Sequence, residues 1–436
     1  MRWEWTTPPW TPTDTESEER EAEVTTGIAA AEAALRYNIR PLMARASLSL
    51  LSAVEELGVE GGMAGDLADV SWGEAVAIEG LAPGQTAGLE RATRSGGVRM
   101  VTGPGGRRAV LIGPLASLAG VATSLVGTGP PLDDLGGALT AALAGRRPRP
   151  PLACGDRSLG FGNRTLIMGV VNATPDSFSG DGLAGDVAAA VALAERLVAE
   201  GADLVDVGGE STRPGSAPVD VATELHRVMP VLEALAGRLS VPISVDTRKA
   251  EVARAAIAAG AGMVNDIWGL RGDPGMAPVV AAAPGVALVA MHNRRGHHEG
   301  ELLAEVSRGL RESLLIAARH GIGADRVVVD PGFGFGKTPS QNLELVQRLG
   351  ELGGIGCALL LGGSRKSTIS LVLGGAPPEL RLEGTLALCV IAVAAGAEIV
   401  RVHDVAQVRR GLQVADAVLR EIPEAVRSAP APGRTG

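Results

Sequence analysis

Cysteine and aromatic side chains are scarce in this chain of 436 residues, which contains three Cys, four Phe and one Tyr. The cysteines Cys154, Cys357 and Cys389 are odd in number and show no CxxC spacing. The sequence therefore indicates neither a disulfide framework nor a thiolate metal site, and we expect a reducing, cytoplasmic environment.

Long apolar runs and a net positive charge are also missing. No stretch approaches the ~20 apolar residues of a membrane helix, and the N-terminus turns acidic where a signal peptide would be apolar. The formal net charge of -9 argues against a surface that binds nucleic acid or anionic lipid. We expect small-molecule substrates, with no nucleic acid and no membrane among the partners.

Lysine is nearly absent as well, although arginine is common. The lysines are Lys249, Lys337 and Lys366, and each follows closely after a short apolar run. In a chain whose other cations are arginines, a lysine kept at such a place suggests a need for a compact ammonium group.

Short apolar runs that end in polar residues recur from residue 165 onward and give the main clue to the fold. Their length and continuity predict strands that are buried on both faces. Ala- and Leu-rich segments with helical spacing, such as 186–200 and 248–259, lie between them. The polar residues at the ends of the runs are Asn172, Glu210, Asp246, Asn265, Asp266, His292, Asp330, Lys366 and His403.

About eight strands that alternate with helices predict an α/β fold of the (β/α)8 TIM-barrel type, in which catalytic groups gather at the carboxyl ends of the strands. One barrel takes roughly 250 residues, so a smaller N-terminal α/β module must precede it. We predict a helix that runs through residues 42–57 of this module, with Pro41 in its first turn, and find no catalytic constellation there. The predicted boundaries are an acidic disordered tail at 1–25, the module at 26–145, a linker at 146–164, the barrel at 165–420 and a flexible tail at 421–436.

Nine motifs between residues 152 and 417 occur together and in a characteristic order. They are MGVVNATPDSFS, DVGGESTRPGS, ISVDTRKAEV, AGAGMVNDIWG, MHN, VVVDPGFGFGKTPSQNLELV, LLLGGSRKS, EGTLA and RVHDV. With them the region resembles dihydropteroate synthase, the folate-biosynthesis transferase that joins 4-aminobenzoate to a pterin pyrophosphate. The N-terminal module is similar to an extension seen in some members.

The resemblance implies a pterin pocket built from Asp246, Asn265, Met291, Asp330 and Lys366. A pterin presents a ring edge of adjacent N–H donors and acceptors, which a carboxylate and an amide can pair, while a lysine meets its carbonyl and ring nitrogen. A cap at the end of a strand is the structural alternative for each polar residue taken alone.

The resemblance also implies a pyrophosphate site with a magnesium ion. Barrels often bind phosphate at the loops after strands seven and eight, which here carry Lys366 and Arg401. A metal with one amide ligand, Asn172, and mostly phosphate and water oxygens suits Mg²⁺. An exposed position on the barrel rim is the alternative for Arg401. The implied pyrophosphate residues are Asn172, Thr212, Arg213, Arg401 and His403.

Two polar loops, 174–182 and 210–217, have the Pro, Gly and small residues of loops that close over a site. By resemblance, pyrophosphate leaves first and the arylamine attacks the resulting pterin cation, with Asp176, Lys366 and Arg401 as catalytic residues. Sulfonamides, as mimics of 4-aminobenzoate, should compete for the amine site, and we expect a homodimer. The implied 4-aminobenzoate residues are Phe178, Thr212, Arg213, Pro214, Phe335, Lys366 and Ser367, with Asp176 beside them.

Two further patterns suggest other chemistry. PGFGFGKT at 331–338 nearly matches the phosphate-binding GxxxxGK[ST] pattern, but its first Gly position holds a Pro. We predict instead that Thr338 caps a helix that begins with Pro339. His292 and the pair at 297–298 could suggest a metal, but the pair lies in a polar stretch typical of an exposed loop.

Two alternatives to a synthase remain, and both make less use of the motifs. A methyltetrahydrofolate:corrinoid methyltransferase would share the Asp and Asn set but lack STRPG and SRKS, and a non-catalytic pterin-binding protein would not need Arg213 and Lys366. The chain departs from the family pattern in its first loop, where Gly180 precedes Asp181, and at Gly363.

Overall fold

The computed structural model describes residues 14–42, 74–94, 97–144, 149–174, 186–211, 217–294, 301–420 and 427. Among the helices of these segments, none combines the length and the apolar character needed to cross a membrane.

The N-terminal module is a four-stranded antiparallel sheet packed against helices, as predicted for an α/β unit. Its strand order is β1-β2-β4-β3, and one apolar core joins the sheet to the helices, with Leu111, Leu118 and Leu135 fully buried. Its elements are α1 (Asp14–Tyr37), β1 (Arg40–Leu42), β2 (Glu74–Ile78), α2 (Pro83–Thr93), β3 (Arg99–Thr102), β4 (Ala109–Gly113), α3 (Leu115–Leu125) and α4 (Leu132–Leu143).

Two predictions for this region are wrong. Residues 14–25, assigned to a disordered tail, belong to helix α1. Pro41 and Leu42, assigned to the start of a helix, lie in strand β1 because their backbone pairs with β2, with Pro41 opposite Val76. The rest of that predicted helix, residues 43–57, lies outside the described residues.

The segment predicted to be a linker contains a hairpin that closes the bottom of the barrel. Strand β5 (Leu152–Cys154) pairs with β6 (Arg157–Leu159), and their buried side chains join those at the amino ends of the barrel strands in one apolar cluster. A Cβ at Gly262 would lie 2.4 Å from the carbonyl oxygen of Cys154, so the hairpin backbone approaches the barrel closely there. Part of residues 146–164 is therefore a plug rather than a linker.

The rest of the chain is a closed barrel of eight parallel strands with helices outside, which confirms the predicted fold class. Asp186 caps the first of these helices. Thr338 caps another that begins with Pro339, as predicted. The barrel elements are β7 (Leu166–Asn172), α5 (Val187–Ala199), β8 (Leu204–Gly208), α6 (Val221–Leu235), β9 (Ile243–Asp246), α7 (Ala250–Ala258), β10 (Met263–Asp266), α8 (Met276–Ala281), β11 (Ala287–Met291), α9 (Leu302–Arg319), β12 (Val327–Asp330), α10 (Pro339–Gln347), β13 (Ala358–Leu361), α11 (Ser367–Val372), α12 (Leu382–Ala394), β14 (Ile399–Val402) and α13 (Val405–Leu419).

Alternation of side chains along each strand gives the barrel an apolar floor and a polar mouth. Since successive residues of a strand point to opposite faces, every second residue faces the barrel interior. Near the amino ends these residues are apolar and packed together, as at Met168, Leu204, Met263, Val328 and Ile399. Residues two or four positions further along these five strands are polar, namely Asn172, Asp206, Asn265, Asp330 and Arg401, and β9 ends in the polar Asp246.

A buried cluster of ion pairs joins the module to the barrel. Arg40 of β1 is 2% exposed and lies 3.0 Å from both Glu301 and Glu351. Arg311 of α9 donates to the carbonyl oxygen of Ile39 at 2.8 Å, and α1 packs against α9. The module is thus attached to the barrel wall that runs from β11 to β13.

Candidate active site at the barrel mouth

The predicted pterin residues come together at the barrel mouth. Asp246 and Asn265 are direct neighbours in the register of β9 and β10, and Met291 and Asp330 are neighbours in β11 and β12. All four end their strands or stand one residue before the end. Asp330 accepts a hydrogen bond from the backbone N–H of Gly332 at 2.7 Å, which orients its carboxylate. Burial raises the pKa of Asp330, while Lys366 pulls it down.

Lys366 follows β13 and reaches across to the turn after β12. Its ammonium donates to the carbonyl oxygen of Phe333 and lies 4.4 Å from the ring centroid of Phe335. The turn wraps so closely that a Cβ at Gly334, where φ is +81°, would lie 2.8 Å from Lys366 Cδ. Burial lowers the pKa of Lys366 to about 8, although the charge of Asp330 opposes the shift.

Arg401 lies between two carboxylates on neighbouring strands. Its Nε donates to Asp206 Oδ2 at 2.7 Å and its Nη2 donates to Asp246 Oδ2 at 2.9 Å, whereas its Nη1 bonds to no described residue. Burial disfavours the charged guanidinium, but Asp206 and Asp246 together hold the pKa of Arg401 above its usual range. Burial also raises the pKa of Asp246 to about 7, against the pull of Arg401.

The three predicted pyrophosphate residues that the structure describes lie on one side of the mouth. Strand β14 pairs with β7 and with β13, so Arg401, His403 and Asn172 stand near the loop after β13. His403 Nδ1 lies 3.0 Å from Ser364 Oγ, which holds the imidazole at the rim. The side chain of Asn172 is half-buried and bonds to no described residue. Strands β13 and β14 are the seventh and eighth of the barrel, and barrels commonly bind phosphate at the loops that follow these two strands.

Five predicted residues, Asp176, Phe178, Thr212, Arg213 and Pro214, lie outside the described residues. The residue that leads into the second of their loops is firmly held, since Glu210 accepts bonds from Lys249 at 2.6 Å and Arg248 at 2.9 Å. Lys249 also bonds to the buried Glu224. Phe335 is half-buried beside Lys366, and Ser367 is exposed at the start of α11.

The structure accounts for the departure at Gly363 and for the position of His292. A Cβ at Gly363 would lie 2.5 Å from Leu388 Cδ2, so this glycine leaves room for a side chain of α12. The first-loop departure at 180–181 lies outside the described residues, as do residues 297–298. His292 is 2% exposed and packs beneath α9, with its Nδ1 3.3 Å from Lys337 Nζ.

Three residues that shape the site were not predicted to belong to it. Lys337 donates to the carbonyl oxygens of Gly332 and Phe335 at 3.1 and 3.2 Å, and burial lowers its pKa to about 7. Asn342 accepts from the backbone of Gly334 at 2.7 Å, so both residues hold the turn around Lys366. The third, Asp206, is a charged residue inside an apolar strand, a signal that the sequence did contain.

A family model and similar curated proteins indicate the same family for this chain. The chain matches the model described as pterin binding enzyme over residues 168–403. It is 44% identical to the dihydropteroate synthase of Bacillus subtilis over 264 residues, which are 61% of this chain and 92% of that protein. The dihydropteroate synthase of Escherichia coli is also 44% identical, over 58% of this chain and 91% of that protein.

Solved structures agree with these sequence matches. Xanthomonas albilineans dihydropteroate synthase with 4-aminobenzoic acid is 45% identical with a TM-score of 0.59, covering 65% of this chain and all (100%) of that one. The Burkholderia cenocepacia dihydropteroate synthase complexed with 7,8-dihydropteroate is 42% identical with a TM-score of 0.57, covering 62% of this chain and 96% of that one. The likeness lies in the barrel.

Proposed function

The chain belongs to the pterin-binding enzyme family, and on that premise we propose how the barrel mouth carries out the reaction of a dihydropteroate synthase. This transferase condenses 6-hydroxymethyl-7,8-dihydropterin pyrophosphate with 4-aminobenzoate and forms 7,8-dihydropteroate and pyrophosphate. One observation carries the proposal: polar groups from separate strand ends meet at one mouth, with Arg401 bonded to Asp246 at 2.9 Å and Lys366 bonded to the turn after Asp330.

The pterin ring would lie across the end of the barrel, above its apolar floor. Asp246, Asn265 and Asp330 offer carboxylate and amide oxygens to the N–H groups of the ring edge, while Lys366 donates to its carbonyl and ring nitrogen. Met291 is 3% exposed and supplies an apolar wall. The buried setting strengthens each of these hydrogen bonds, because the local dielectric is low.

Departure of the pyrophosphate requires positive charge at the rim beside β14. Arg401 has its Nη1 available for an anionic oxygen, and His403 stands two residues further along at the same rim. Arg401 and Lys366 stabilise the charge that develops as the C–O bond to pyrophosphate breaks. The pterin cation left behind is held by the carboxylates of the pocket.

The donor set also fits a magnesium ion that enters with the pyrophosphate. Among the described residues, no group of three or more His, Cys, Asp or Glu side chains could hold a metal by itself. Asn172 presents a half-buried amide without another described partner, and an amide oxygen is a hard ligand of the kind that Mg²⁺ accepts beside phosphate and water oxygens. When bound, the ion would neutralise negative charge on the pyrophosphate.

The amine would enter from the side of Lys366. Phe335 offers an aromatic face to the ring of 4-aminobenzoate, and Ser367 at the start of α11 offers a hydroxyl and a backbone N–H to its carboxylate. Asp176, Phe178 and the segment 212–214 would complete this site. No strong general base is needed, because an aniline nitrogen is already nucleophilic. Sulfonamides would compete here, as mimics of the amine.

A homodimer in the cytoplasm is part of the same proposal. Helices α12 and α13 pack side by side and expose apolar side chains, with Ile391 53%, Val414 67% and Val418 78% exposed. We assign this face to a second copy of the chain, and sedimentation of the wild type and Val414→Glu tests it. A monomeric wild type would contradict the assignment. Three free cysteines, all buried, support a reducing compartment.

The test of the proposed function is direct. The full chain is incubated with the pterin pyrophosphate, 4-aminobenzoate and Mg²⁺, and dihydropteroate is measured by chromatography. We expect formation of dihydropteroate that depends on both substrates and falls when a sulfonamide is added. Release of pyrophosphate without a pterin–amine product would reject the synthase, and methyl transfer to a corrinoid would favour the methyltransferase alternative.

A further inference from the structure

Asp206 is a fully buried carboxylate in the middle of β8, and its interactions are unusual for a core residue. A single oxygen, Oδ2, accepts from Arg401 Nε at 2.7 Å and from Asn265 Nδ2 at 2.9 Å. The other oxygen, Oδ1, is buried and has no hydrogen-bond partner among the described residues. Such burial is costly, and an apolar side chain of similar volume would avoid the cost. Barrel packing alone therefore does not explain an aspartate at this position.

The bond to Asn265 determines which way its amide faces. An ionised carboxylate only accepts hydrogen bonds, so the NH2 group of Asn265 must be the part that faces Asp206. The amide oxygen then lies on the opposite side of the group, where it can accept from a pterin N–H. Without the carboxylate, both orientations of the amide would be available.

The bond from Arg401 to Asp206 matters because the other carboxylate that Arg401 contacts, Asp246, is also needed to bind the pterin. Arg401 Nη2 bonds to Asp246, which is a proposed pterin partner. Where the ring edge takes Oδ2 of Asp246, Arg401 loses this acceptor but keeps the bond from Nε to Asp206. The guanidinium would then remain at the rim with its Nη groups available to the pyrophosphate.

We propose that Asp206 is a positioning residue that fixes the amide of Asn265 for pterin recognition and retains Arg401 at the pyrophosphate site once the pterin has taken Asp246. The inference rests on the proposed function of the mouth. It predicts that the pterin and the pyrophosphate can occupy the site together because Arg401 has two anchors, of which the pterin displaces one.

The test uses the full chain with Asp206→Asn, which keeps the volume of the side chain and removes its charge. We expect the KM for the pterin pyrophosphate to rise about tenfold, as for the loss of one hydrogen bond, while the KM for 4-aminobenzoate changes less than about twofold. The matched control is Asp203→Asn. Asp203 directly precedes the same strand at the opposite end of the barrel, where it pairs with Arg164 and Arg409.

A second measurement separates positioning from a general loss of structure. The affinity for inorganic pyrophosphate is measured by calorimetry with and without saturating 6-hydroxymethyl-7,8-dihydropterin. In Asp206→Asn, the pterin should weaken pyrophosphate binding about tenfold more than it does in the wild type, because the neutral amide of Asn is a weaker acceptor for Arg401 than the carboxylate. Asp203→Asn should show the wild-type difference.

The outcomes distinguish this inference from the proposed function. A wild type that makes dihydropteroate, beside an Asp206→Asn variant with unchanged affinities, overturns the role of Asp206 alone. A wild type that makes no dihydropteroate removes the proposed function and this inference with it. If Asp206→Asn does not fold, Asp206→Ser is measured in the same way, and a wild-type effect of the pterin on pyrophosphate affinity in that variant overturns the proposal.

Discussion

Replacing Lys366 by Arg keeps a positive charge at the centre of the mouth but changes its shape. The ammonium donates to the Phe333 carbonyl and lies 4.4 Å from the Phe335 ring centroid. The lysine stem is also pressed against the turn, since a Cβ at Gly334 would lie 2.8 Å from Lys366 Cδ. An Arg is longer by one heavy atom and ends in a planar fork, so it cannot place a donor where the ammonium now is.

The expected size of the effect follows from the hydrogen bonds that this donor would make to the pterin. A hydrogen bond with a charged partner contributes about 1.5–3 kcal/mol. Loss of one such bond should weaken binding of the pterin pyrophosphate roughly ten- to 150-fold. Lys366→Arg should therefore resemble Lys366→Ala more than the wild type.

Isothermal titration calorimetry with the pterin pyrophosphate measures this effect, and the melting temperature of each variant checks that it is folded. Lys249→Arg is the matched control, because Glu210 and Glu224 beside Lys249 can both accept from a guanidinium. We expect this control to bind with wild-type affinity. If Lys366→Arg bound within about twofold of the wild type, the argument from the shape of the ammonium would be refuted.

Three further predictions concern the same mouth. Arg401→Ala should weaken binding of the pterin pyrophosphate at least about tenfold, while Arg409→Ala, at the opposite end of the barrel, should lower the melting temperature and leave the dissociation constant unchanged. Affinity measured against pH should be highest between about 7 and 8. Below this window Asp246, whose pKa is raised to about 7, takes up a proton and loses an acceptor, and above it Lys366, whose pKa is lowered to about 8, loses its charge; a flat profile from pH 5 to 10 would contradict the assignment. Gly334→Ala should reduce affinity without unfolding the chain, since φ is +81° and the new methyl group would meet the Lys366 stem, which circular dichroism and calorimetry together can show.

The barrel and most of its mouth could be predicted from the sequence because the end of each strand is marked locally by a polar residue. An apolar run that stops at a single polar residue needs no distant partner to be recognised, and closure of the barrel then brings Asp246, Asn265 and Asp330 together. Asp206 stands inside its run rather than at the end. Only the alternation of side chains, counted back from Gly208, shows that it faces the interior.

The module was harder to predict because contacts with residues far away in the sequence override the local preference for a helix. Pro41 after a polar residue favours the first turn of a helix, but the structure places it in β1. Arg40 beside it is held by Glu301 and Glu351, which lie more than 250 residues away in the chain. Such long-range ion pairs leave no trace in the local sequence.

These ion pairs have a practical consequence for anyone who shortens the chain to the length of its relatives. Removing everything before residue 149 would take Arg40 from Glu301 and Glu351, which are 6% and 0% exposed, and would uncover the face of α9 that packs against α1. Arg348 would still pair with both glutamates, so the loss lies in the packing of the module rather than in an unpaired buried charge. A chain trimmed to the barrel should therefore melt at a lower temperature than the full chain.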